Sequence, residues 1–78
     1  MWTIDEEKTK ELGLLLEDLR KQNKLQLKQV SSLTKIDVGQ LYRLEKGTVY
    51  RINALMLRSL AALYEVDVIM FYKIIDYI

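Results

Sequence analysis

Apolar side chains return every three or four positions along almost the whole chain, and no proline interrupts them. That spacing collects residues on one face of an α-helix, so it leaves little room for any other element. Leu12, Leu15, Leu16 and Leu19 mark the buried stripe of a first helix ending near Asn23. Ahead of it, Thr3-Ile4-Asp5-Glu6 has the form of a capping box, with Thr3 as acceptor and Glu6 reaching back. Leu25, Val30 and Leu33 set a new register, predicting a short helix from Leu27 to Thr34. A break must follow, because Asp37 with Gln40 three residues on is a second helix start. The third helix then runs from Val38 to about Lys46 and buries Leu41 and Leu44. Gly47 ends it, since glycine adopts the left-handed conformation without steric cost. Residues 48–52 read as a loop. Asn53 caps a fourth helix over 54–64, burying Leu57, Leu60, Ala61 and Tyr64, and Asp67 caps a fifth carrying Met70 and Phe71. The fold expected is an all-α, five-helix bundle forming one domain over 1–78. Residues 1–11 extend the first helix, and 72–78 form an apolar tail.

The residues that are missing exclude much chemistry. With neither cysteine nor histidine, disulfides, zinc fingers, thiol chemistry and histidine-based triads are unavailable. No glycine-rich phosphate loop is present. The acidic groups at residues 5–7 and at Glu17-Asp18 suit an ordinary solvated helix surface. The expectation is a protein with no catalysis, cofactor or metal. The apolar run at residues 14–16 is far too short for a bilayer, and Met1-Trp2-Thr3-Ile4 followed by acids is not a secretory leader. A soluble, cytoplasmic protein without a membrane partner is expected.

Net charge is only +1, but its distribution is uneven. Residues 1–19 carry two lysines against six acids, and residues 59–78 one lysine against three. Between them, residues 20–58 hold nine basic residues against two acids. A basic middle between acidic ends suits a polyanionic partner on one part of the surface; chance clustering on a solvated face is the plain alternative.

Two short helices joined by a tight turn are also the helix-turn-helix arrangement, in which one helix braces across the DNA backbone and the next enters the major groove. The side chains carry a specific likeness. Leu12-Gly13, Leu16, Leu19 and Arg20 are followed by Leu25-Gln26, Val30-Ser31, Ile36-Asp37, Leu41 and Leu44-Glu45-Lys46-Gly47, then Leu60-Ala61, Tyr64 and Val66-Asp67. Over residues 12–71 this resembles the Cro and phage-repressor-like (XRE) helix-turn-helix family. The resemblance implies a five-helix DNA-binding domain, usually acting as a dimer on a two-fold operator. A transcriptional regulator is expected, a repressor first, with an antitoxin component and a mobile-element regulator as the open alternatives. The resemblance also implies an ion pair between Arg20 and Glu45, and that Val66 and Phe71 close the domain. The chain departs from the family at Leu27, which stands where a glutamine commonly holds a phosphate. It departs at Lys35, commonly a turn glycine, and at Val38-Gly39, where polar base readers are common.

With Leu41 and Leu44 inward, the outward arc of the third helix carries Lys35, Gly39, Tyr42, Arg43 and Lys46, flanked by Val38 and Gln40. Arg43 can pair with guanine, Gln40 with adenine, and Val38 can rest on a thymine methyl, while Gly39 lets the backbone approach closely. Those four with Tyr42 form the expected base-reading set. Gln26, Lys28, Lys35, Lys46, Tyr50 and Arg51 are the expected phosphate contacts; the resemblance favours Arg51, because the loop after the third helix faces the DNA backbone in that family.

The C-terminal tail holds more apolar surface than one short stripe can bury. Ile69, Tyr72, Ile74, Ile75, Tyr77 and Ile78 are therefore expected at a homodimer interface, with Leu14 and Trp2 as further apolar surface. The competing reading is a protein-interaction module on the same scaffold, such as an antirepressor or assembly partner, with DNA readout lost. Leu27, Val38 and Gly39 favour it, and the basic middle argues against it.

Overall fold

A computed structural model describes residues 2–3, 6–49 and 51–75. Five helices form: α1 (Glu6–Gln22), α2 (Leu27–Thr34), α3 (Val38–Lys46), α4 (Ala54–Tyr64) and α5 (Val68–Ile74). Local chemistry explains most of their bounds. Asp37 accepts a hydrogen bond from the Gln40 N–H, Asn53 from Leu55 and Asp67 from Ile69, so three helices begin on a side-chain cap. At its start α1 carries Glu6 and Glu7, and near its end Arg20 and Lys21, both arrangements matched to the helix dipole.

Four of the five helices end on left-handed residues: Lys24 after α1, Lys35 after α2, Gly47 after α3 and Glu65 after α4. In three of these ends the backbone folds the same way. Leu25 donates to the Arg20 carbonyl, Thr48 to Arg43 and Val66 to Ala61, satisfying carbonyls that the helix leaves open.

The core lies between all five helices. Leu12 and Leu16 of α1, Val30 of α2, Leu41 and Leu44 of α3, Met56, Leu57, Leu60, Ala61 and Tyr64 of α4, and Phe71 of α5 are buried together with Ile52 and Ile75. Leu15, Leu19, Leu25 and Val66 pack half-buried against them. The main crossing, α1 against α3, is close because Gly13 has no side chain. A Cβ there would lie 2.6 Å from the Leu44 carbonyl oxygen and nearer still to that of Glu45. Among the described residues, no helix is long and apolar enough to cross a membrane.

Three expectations are corrected, and a fourth, the cap at Thr3, rests on a side chain and on residues 4–5 that lie outside the described residues. Trp2–Thr3 is a short strand, β1, and α1 is described from Glu6. Within the expected loop at 48–52, Arg51–Ile52 is its antiparallel partner, β2, with Trp2 opposite Ile52 and Thr3 opposite Arg51. That pairing fastens the start of the chain beside the α3–α4 connection. Leu33 lies off the core side of α2 and is 61% exposed. Ile75, expected at an interface, is 3% exposed and closes this domain's own core, so it leaves the interface set. Tyr77 and Ile78 lie outside the described residues, as do the side chains of Trp2 and Arg51 and all of Tyr50.

Candidate nucleic-acid interface

The turn between α2 and α3 is held by side chains as well as backbone. Lys35 takes φ 66° and its N–H donates to the Ser31 carbonyl at 2.8 Å. The Ser31 hydroxyl donates forward to the Ile36 carbonyl at 2.6 Å. Thr34 donates its hydroxyl to the Val30 carbonyl at 2.7 Å and accepts from the Ile36 N–H at 3.3 Å. Two hydroxyls at the end of one short helix therefore orient the next. Neither was singled out from the sequence as a positioning residue, although hydroxyls before a turn are a known signal of such local bonds. At the other end of α2 the Gln26 N–H donates to the Gln29 side chain at 2.8 Å, giving a helix without an acidic or hydroxyl cap a firm start.

From this base α3 turns Leu41, Leu44 and Glu45 inward. Its opposite side presents Val38, Tyr42, Arg43 and Lys46 to solvent, with Tyr42 53% exposed. Gly39 and Gln40 are half-buried. Gly39 matters for Arg43 one turn later: a Cβ at Gly39 would lie 3.5 Å from Arg43 Nη1 and 3.0 Å from Asp37 Oδ2. The arginine thus lies back along the bare first turn of the helix. Lys46 stands over the Tyr42 ring, its ammonium 5.7 Å from the centroid.

Gln26, Lys28 and Lys35 are all exposed, just before α2, on it and just after it, and Lys46 closes α3. The structure thus gathers Lys35, Val38, Gly39, Tyr42, Arg43 and Lys46 along one helix and its leading turn. The backbone of Arg51 lies in β2, the strand that leads into α4. Of the expected interface residues in the C-terminal part, Ile69 is exposed while Tyr72 and Ile74 are half-buried.

Behind the exposed side, α3 is anchored to α1 by charge. Arg20 Nε donates to Glu45 Oε2 at 2.8 Å and its Nη2 to Oε1 at 3.1 Å, a two-point pairing that specifies orientation as well as distance. Nη1 of the same guanidinium donates to the Leu25 carbonyl at 3.0 Å, so one side chain also holds the α1–α2 connection. Tyr64 is buried near this pair. Burial, and then the Glu45 charge, push its phenol up to about 12.

Among the described residues no three His, Cys, Asp or Glu side chains are grouped as metal ligands would be. What the surface offers is the exposed side of a packed helix, bearing cations, an aromatic ring and one apolar residue, held by hydrogen bonds in its leading turn and an ion pair behind it. A family model described as a helix-turn-helix domain matches residues 13–73, from within α1 almost to the end of α5. No curated protein matches the sequence.

Proposed function

The chain belongs to the helix-turn-helix domain family, and we propose that it binds double-stranded DNA as a homodimer and regulates transcription, acting as a repressor in the manner of the phage-repressor-like proteins. The observation that supports this reading is the exposed side of α3. Val38, Tyr42, Arg43 and Lys46 project from a helix whose other side is tied into the core and whose leading turn is held by Ser31 and Thr34. A helix fixed on one side and open on the other is what major-groove readout requires, because base-edge hydrogen bonds tolerate little misplacement.

In this reading α3 lies in the major groove. Arg43 pairs with the O6 and N7 of a guanine, Gln40 addresses an adenine, and Val38 contacts a thymine methyl. Tyr42 and the backbone at Gly39 complete the surface against the bases. Gln26, Lys28, Lys35, Lys46, Tyr50 and Arg51 hold phosphates and set the register of the domain on the duplex without reading sequence. Few hydrogen-bonding base readers stand at the start of α3, so discrimination rests on Arg43 and Gln40 and is semi-specific. Ile69, Tyr72 and Ile74, with Tyr77 and Ile78 beyond them and Leu14 on α1, form the surface on which a second copy pairs. The protein acts in the cytoplasm and requires neither cofactor nor metal.

The deciding experiment is selection from random duplex DNA at about 0.1 M salt, because affinity for a polyanion has meaning only at stated salt. Expected is an enriched motif of two inverted half-sites with centres roughly one duplex turn, about 34–36 Å, apart. Repeating the selection with Arg43→Ala should relax that motif at one base position per half-site. An unenriched pool together with no retention of duplex overturns the reading and leaves a protein-interaction module on the same scaffold.

A further inference from the structure

Glu17 lies on α1, outside the helix-turn-helix itself, yet three cations converge on it, Lys46 of the interface among them. Its Oε2 is 3.6 Å from Lys21 Nζ, 4.0 Å from Lys46 Nζ and 4.0 Å from Arg20 Nη2. These three demands are unequal. Arg20 already has its charge matched by two hydrogen bonds to Glu45. What remains of the Glu17 charge is directed at Lys21, on its own helix, and at Lys46, at the end of α3. The Glu17 side chain is only 24% exposed, whereas that of Lys46 is 50% exposed and also rests over Tyr42. The carboxylate is therefore held in place by its surroundings while the lysine remains free to move outward.

We propose that Glu17 acts as an internal stand-in for a DNA phosphate, holding Lys46 back and setting the affinity of the interface below what its cations alone would give. This rests on the DNA-binding reading above. A carboxylate and a phosphate oxygen make the same demand on an ammonium group, and only one of them can be its nearest partner. To reach a phosphate, Lys46 must leave Glu17, and the gain of the new contact is offset by loss of the old one. When Lys46 leaves for a phosphate, the vacated Glu17 carboxylate takes up a cation from solution, so the net release of counterions through this lysine is less than one. Glu17 is thus a positioning residue that acts through Lys46.

The test compares duplex affinity across a salt series for the full chain and for Glu17→Gln, Lys46→Gln, Lys21→Gln and the two doubles that combine Glu17→Gln with each lysine variant. Glutamine keeps the size of Glu17 and its ability to hydrogen-bond, and thermal melting verifies that each variant is folded. Expected for Glu17→Gln is binding roughly two- to fivefold tighter to specific and random duplex alike, the range of an exposed ion pair. The slope of log affinity against log salt should steepen by up to about 0.9. The gain should vanish in the Lys46→Gln background and persist in the Lys21→Gln background. If the chain binds duplex but Glu17→Gln is no tighter, or the gain is lost with Lys21 rather than Lys46, the inference is overturned and the DNA-binding reading stands. A drop in melting temperature with an unchanged salt slope would assign Glu17 a structural role instead and equally overturn it. If neither the chain nor any variant retains duplex at about 0.05 M salt, the reading and the inference fall together.

Discussion

Arg20 holds both Glu45 and the Leu25 carbonyl, and the energetic weight of the Glu45 pair follows from where it lies. The Glu45 side chain is 7% exposed, so removing the guanidinium leaves a carboxylate in a poor solvent with its hydrogen bonds unmade. Arg20→Met is expected to lower stability by about 3–5 kcal/mol in urea unfolding, and Glu45→Gln by a smaller but clear margin, since the amide can still accept one bond. Losses of under about 0.5 kcal/mol in both would mean the pair behaves as an exposed one. Tyr64, beside that pair, makes a pH prediction. Folding raises its phenol from 10.0 to about 12, so the folded state holds the proton more tightly than the unfolded chain does. The resulting stabilisation is complete below pH 10 and is lost as pH rises towards 12. Over that window the wild type should lose about 2–3 kcal/mol more than Tyr64→Phe, which has no phenol to ionise. Parallel pH curves for the two proteins would refute it.

Between elements, the closest approach is the crossing of α1 and α3. There a Gly13 Cβ would strike backbone carbonyls, which cannot turn aside as a flexible side chain would. Gly13→Ala should therefore cost about 1–3 kcal/mol or more, despite the better helix propensity of alanine. A variant that melts at or above the wild-type temperature would contradict this packing. The helix ends carry the opposite opportunity. Lys24, Lys35 and Glu65 occupy left-handed backbone at φ 57–66°, which costs a residue with a Cβ about 1–2 kcal/mol. Glycine removes that cost but gives the unfolded chain about 0.4–1 kcal/mol of extra freedom, so each change to glycine should stabilise by roughly 0.5–1 kcal/mol. Lys35→Gly is the informative one. It should raise the melting temperature while weakening duplex binding, because the proposed phosphate contact is lost with the side chain.

For the whole molecule, the question is what covers the apolar residues that the domain leaves outside. Leu14 is 66% exposed, and Ile69 and Met70 are exposed on α5, the helix that packs beside α1. A homodimer through this region is expected to return twice the chain mass in light scattering at micromolar concentration. Ile69→Glu adds a charge at a position the fold leaves in solvent, so it should yield a folded monomer that binds one half-site. Single-chain mass for the unaltered protein would remove the dimer from the proposed function. An unchanged dimer in Ile69→Glu would move its interface elsewhere.

Three helices were legible to the residue, because what bounds them is local. Asp37 and Asn53 bond to backbone two or three positions away, and Gly47 needs only its own missing Cβ. The core stripes of α1, α3 and α4 were legible for a related reason: a 3.6-residue period records which side of a helix is dry. The exposed side of α3 followed from the same period, once Leu41 and Leu44 faced inward. The pairing of β1 with β2 was not legible, since two residues are too few for a period and their partners are far apart in the chain. Leu33 and Ile75 exchanged roles for a similar reason. Hydrophobicity says that a side chain prefers a dry neighbour, but whether one exists there depends on where the other helices lie. Nor could spacing alone have brought Glu17 to Lys46. Their approach depends on how closely α1 and α3 cross, which Gly13 permits and only the packed domain establishes.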